Sequence, residues 1–122
     1  MTSYSKSREL ILALYCLLIF TLSHQPTLPM PPLSIPLMDK WIHGAAYAVM
    51  GWLAWRSWHQ HYAACSALYI AALFCSIYGI SDEWHQSFVP GRNADPFDWL
   101  ADTIGGTAGA IIAYRWSRSH PV

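Results

Sequence analysis

The chain has 122 residues, 54% of them hydrophobic and 11% charged, with seven Lys+Arg balanced by seven Asp+Glu. A soluble domain carries about a quarter charged residues, so this composition points to a bilayer, and the length fits a single domain spanning residues 1–122. A net charge of zero excludes a basic field for nucleic acid, and the three cysteines (Cys16, Cys65, Cys75), each inside an apolar run, form neither a disulfide framework nor a zinc-ligand spacing.

A membrane-crossing helix needs about 20 residues. The first candidate covers about residues 9–23, built on the apolar run Leu10 to Leu22 behind Lys6 and Arg8. That run is short, and polar flanks with local thinning would let it cross. A signal peptide is the alternative there, because Thr21-Leu22-Ser23 resembles a cleavage site; His24-Gln25-Pro26 is a poor mature start. The outer loop at 24–38 contains Pro26, Pro29, Pro31, Pro32 and Pro36, which excludes a regular helix and favours extended chain.

The second span covers residues 41–58 and opens behind Asp39 and Lys40. Asp39, His43, Tyr47 and Gly51 recur every fourth residue, so they form one helical stripe running into the membrane. Asp39 reads as the helix N-cap and Lys40 as a snorkelling anchor. Neither role explains His43, which at that depth is expected to face protein or a water-filled cavity. His59-Gln60-His61 is a tight polar turn, and the third span, Tyr62 to Ile80, is uncharged throughout.

The most polar loop follows at 81–96. Glu83 and Gln86 are three apart and share a face that points into the bundle; Asp82 reads equally well as a solvated helix end. Trp84 and Phe88 suit the membrane interface, and Val89-Pro90-Gly91 is a turn that delivers Arg92.

The fourth span covers 97–116. Asp95-Pro96-Phe97-Asp98 has the order of an N-cap, a first-turn proline and a first-turn acid. Asp102 lies one turn and about 6 Å deeper, beyond what capping explains. It shares a face with Asp98, beside a ridge of small residues at Ala101, Gly105, Gly109 and Ala113. Small residues admit a close neighbouring helix, within one chain or between two copies, so Gly105 and Gly109 also allow a homo-oligomer.

These elements predict an all-α, polytopic transmembrane bundle of four helices. A soluble four-helix bundle is the alternative, and the uncharged third span argues against it, being apolar on every side. Lys6, Arg8, Arg56, Arg115 and Arg118 fall on the terminal side against Lys40 and Arg92 on the other, which predicts cytoplasmic termini. All the acids except Glu9 gather at the outer ends of the spans, facing the periplasm or exterior.

In this order, Asp39-Lys40-x-x-His43-x-x-x-Tyr47, Glu83-x-x-Gln86, Arg92, Asp98, Asp102, Gly105 and Gly109 resemble the VanZ-like family, small polytopic membrane proteins named after a teicoplanin-resistance protein. The resemblance covers roughly Leu10 to Tyr114. Asp102 departs from it, since Asn often stands there in the family, and adds a carboxylate beside Asp98. The resemblance implies a link to the cell envelope and, for the namesake, reduced glycopeptide binding; it implies no settled reaction.

Three functions fit these residues. In the first, an outward pocket of His43, Tyr47, Glu83, Gln86, Arg92, Asp98 and Asp102 binds a membrane lipid or lipid-linked envelope precursor, with Arg92 and Lys40 on its phosphate. In the second, the chain is a membrane-embedded hydrolase or transferase, with Glu83 and Asp98 as catalytic acid and base and His43 as proton shuttle. No cofactor is expected; a divalent metal on Asp98, Asp102 and His43 is a sub-case of this reading. In the third, the charges pair with one another and hold the bundle in register.

Overall fold

The computed structural model describes residues 3–26 and 36–121. Pro29, Pro31 and Pro32 of the proline-rich loop lie outside these. The described residues form four α-helices and no strand: α1 (Ser3–Ser23), α2 (Met38–Trp58), α3 (Ala64–Gln86) and α4 (Pro96–Ser119). At about 1.5 Å per residue each is about 30 Å long or more, the thickness of a hydrocarbon core. By length and composition together, one of them, α3, is apolar enough to cross a membrane.

Helix boundaries differ from the sequence expectation in two informative places. Helix α3 continues six residues past Ile80 to Gln86. Nothing in Ser81–Gln86 breaks a helix, and the chain turns only after it, at Gly91, whose φ of 83° is open to glycine without a Cβ penalty. Helix α2 begins at Met38, with Leu37 in the left-handed region at its N-cap. Asp39 is therefore inside the first turn and caps nothing, a correction to the expected role. At α4 the expectation holds: Asp95 is the N-cap, its Oδ1 accepting from the Phe97 N–H at 2.9 Å, and Pro96 is the first helical residue.

Helices consecutive in sequence run antiparallel, so α2 and α4 run parallel to each other. At one end Arg8 reaches the Arg56 carbonyl (3.2 Å), the Trp55 indole N–H donates to the Ala64 carbonyl (3.2 Å), and Cys65 meets the Tyr114 hydroxyl. The start of α1 and the end of α4 thus share that end. The most intimate pair is α2 with α4; α3 packs on both, and α1 lies against α2 with a lighter touch on α3 and none on α4.

Glycine sets the α2–α4 distance. A methyl group at Gly105 would overlap the Gly44 carbonyl, one at Gly109 the Ala48 carbonyl, and one at Gly51 the Gly106 carbonyl. The small ridge predicted on α4 is therefore used within the chain, against α2. The core around it is aromatic and small by turns, with Tyr47, Met50 and Trp55 set among Ala67, Ala71 and Ala110. The outward faces of α1, α3 and α4 expose Leu14, Leu17, Leu73, Ile77, Ile104 and Ile112.

Candidate functional site

The end opposite the chain termini collects the ionisable groups, because it is where α2 and α4 begin and α3 ends. Lys40, in the first turn of α2, is the outermost node. Its Nζ donates to Asp39 Oδ2 at 2.6 Å, Asp95 Oδ2 at 2.7 Å and Asp98 Oδ1 at 2.6 Å. Burial disfavours its charge, but the three carboxylates outweigh that and hold its pKa above the ordinary lysine value. In return, the hydrogen bond from Lys40 keeps Asp39 and Asp95 below the usual carboxylate range. Lys40 is thus an internal counter-ion and not the free anchor its sequence position suggested.

One turn deeper, His43 stands between the two aspartates of α4. Its Nδ1 lies 2.8 Å from Asp102 Oδ1, a contact in which the imidazole N–H donates, and its Nε2 is 3.8 Å from Asp98 Oδ2. Below that, the buried Tyr47 hydroxyl donates to Asp82 Oδ2 at 3.2 Å. Helix α3 presents Glu83 and Gln86 from the same end. Glu83 Oε2 accepts from the Asp95 backbone N–H at 2.8 Å, which ties the end of α3 to the cap of α4. Gln86 Oε1 accepts from Arg92 Nη2 at 3.1 Å, and Arg92 Nη1 reaches the Gln25 carbonyl at 3.2 Å.

The seven residues predicted for a pocket are brought to one end but not into one opening. A cavity of about 70 Å³ is lined by His43, Tyr47, Asp82, Gln86 and Arg92 on one side and by Ile19, Leu22 and Ser23 of α1 on the other. That is room for about two waters at ~30 Å³ each. Glu83 instead lines a larger recess of about 370 Å³ with Trp84, Asp95, Pro96 and Trp99, between the end of α3 and the start of α4. Asp98 and Asp102 lie behind both, buried between helices.

Asp82 is the functional candidate that sequence reasoning left undecided. It is buried, bonded to Tyr47, and lines the smaller cavity. The signal was the spacing of Ala67, Ala71, Cys75 and Gly79, a buried stripe of α3 that reaches Asp82 three residues later. The grouping of ligand atoms differs as well. One oxygen of Asp98 belongs to Lys40, and the tight cluster is His43, Asp82, Glu83 and Asp102, each offering a ligand atom within 4.8 Å of the others. A second acidic group, Asp39, Asp95 and Asp98, already surrounds the Lys40 ammonium. Four buried polar atoms at this end lack a hydrogen-bond partner among the described residues: Glu83 Oε1, His85 Nδ1, Gln86 Nε2 and Asp102 Oδ2.

In comparison with known families, the model of the VanZ/LLP1 family matches residues 9–117, nearly the whole chain. No curated protein and no solved structure matches.

Proposed function

The chain belongs to the VanZ/LLP1 family, and from that membership we propose a resistance-related, multi-pass membrane protein of the cell envelope whose outer recess holds the phosphate of a lipid or lipid-linked precursor headgroup. The exposed apolar faces of α1, α3 and α4 support burial in lipid, since a soluble monomer rarely exposes a contiguous patch on that scale. The positive-inside bias supports cytoplasmic termini, with the polar end at the periplasmic or exterior surface.

Arg92 carries the headgroup reading. It lines the same cavity as His43, Tyr47 and Gln86, and among the described residues no carboxylate lies within ion-pair distance of it. Lys40, by contrast, is neutralised by three carboxylates, so the phosphate falls to Arg92 alone. A guanidinium can hold phosphate through two parallel N–H bonds. The cavity is too small for a whole headgroup, so the phosphate sits at its mouth. The test is binding of a polyprenyl phosphate to the protein in nanodiscs. Arg92→Ala is expected to weaken binding about tenfold, or about 1.4 kcal/mol, with Arg92→Lys intermediate. Unchanged affinity in folded Arg92→Ala protein removes the reading.

A second reading, a membrane-embedded hydrolase or transferase, is favoured by the His43 imidazole held between Asp98 and Asp102 and facing the cavity. It requires turnover of an envelope glycolipid or phospholipid that Glu83→Gln abolishes. No product from candidate lipids, with wild type equal to Glu83→Gln, excludes it.

A further inference from the structure

We propose that His43, Asp82, Glu83 and Asp102 form a binding site for one divalent transition-metal cation of the Mn²⁺ or Zn²⁺ type. This goes beyond the headgroup reading and stands without it. The geometry comes first. The four residues come from α2, α3 and α4, and each offers a ligand atom within 4.8 Å of the rest. Ligand atoms around one divalent ion, with bonds of about 2.1–2.4 Å, lie within roughly 5 Å of one another.

The second observation is the pair of bare oxygens in this cluster. Asp102 is 0% exposed and Glu83 8% exposed, yet Asp102 Oδ2 and Glu83 Oε1 accept no hydrogen bond among the described residues. Leaving a buried carboxylate oxygen without a donor costs at least about 1–3 kcal/mol. The partner oxygens are already used, Asp102 Oδ1 by His43 and Glu83 Oε2 by the Asp95 N–H. A cation takes the two bare oxygens and leaves those bonds intact.

Charge balance points the same way. Four buried carboxylates meet here, Asp82, Glu83, Asp98 and Asp102. Lys40 serves Asp98. His43, as a neutral ligand, donates its Nδ1 N–H to Asp102 and brings no charge. Among the described residues, Asp82 and Glu83 have no cationic side chain within ion-pair distance, so with Asp102 three negative charges are left over. One dication offsets two of the three. An imidazole among carboxylates suits Mn²⁺ or Zn²⁺ better than Ca²⁺, which prefers oxygen alone.

The experiment uses the full chain, purified in detergent, stripped with chelator and titrated with Mn²⁺ under electron paramagnetic resonance. The expected result is one saturable Mn²⁺ per chain, displaced by Zn²⁺, with nitrogen hyperfine coupling from one imidazole in the wild-type protein. Asp102→Asn and Glu83→Gln each weaken binding at least about tenfold, while Arg92→Ala, which removes the proposed phosphate ligand, retains it. The wild-type spectrum decides the matter even if a variant fails to fold. Absence of saturable Mn²⁺ and Zn²⁺ binding overturns the site, as does bound Mn²⁺ without nitrogen coupling, or wild-type affinity in folded Asp102→Asn protein.

Discussion

Lys40 gathers three carboxylates on one ammonium, and the outer two, Asp39 and Asp95, stand at the polar end, outside the span predicted from residue 41. Both are held below their ordinary value of 3.8 by the hydrogen bond from Lys40. The unfolded chain therefore takes up these protons first as pH falls. The stability they contribute is present above about pH 4 and is lost as pH drops through their folded values. Thermal unfolding in detergent should show the melting temperature falling over that acid range, with the fall reduced in Lys40→Met. Lys40→Met also leaves the buried Asp98 without its cation. An overall loss of about 3 kcal/mol is expected, the low end for removing one partner of a buried pair. Tyr47→Phe deletes the donor to Asp82 and should cost about 1–2 kcal/mol in the same assay. At this scale the sequence revealed which polar groups were too deep for a solvated role, His43 and Asp102 above all. It placed Glu83 inward and left Asp82 undecided, because adjacent residues of a helix face directions about 100° apart and one inward neighbour does not imply the other.

Among the elements, α3 was the plainest span in the sequence, while α2 and α4 are the most tightly joined. The cap at Asp95-Pro96 and the spacing of Gly105 and Gly109 are local signals, and local signals survive into the fold. The continuation of α3 to Gln86 was hidden because a polar helix end looks like loop when only apolar length is counted. The seam also makes a sharp prediction. Gly105→Ala or Gly109→Ala drives a methyl group into a backbone carbonyl of α2, which has no flexible end to yield. A loss of about 1–3 kcal/mol is expected for each, measured as thermal unfolding in detergent. Gly44→Ala should be far milder, since its added methyl group would sit 3.8 Å from the Ala101 carbonyl.

For the whole molecule, four helices and their antiparallel order follow from the apolar runs and the turns between them. Which groups meet at the polar end does not follow, because it depends on how α3 is rotated against the α2–α4 pair. The proposed orientation is open to a direct check using native cysteines. Cys65 is exposed at the terminal end of α3, while Cys75 is buried. A membrane-impermeant maleimide should therefore leave Cys65 unlabelled in intact cells and modify it once the membrane is opened; labelling of intact cells would reverse the topology. The glycine contact between α2 and α4 has one more consequence. It holds α2, whose His43 and Tyr47 form one wall of the smaller cavity, firmly against α4. Helix α1 supplies the facing wall through Ile19, Leu22 and Ser23 and makes the lightest contacts in the molecule. Of the walls of the cavity, α1 is the one held by the fewest neighbours, so it is the one that a guest larger than the cavity would have to displace.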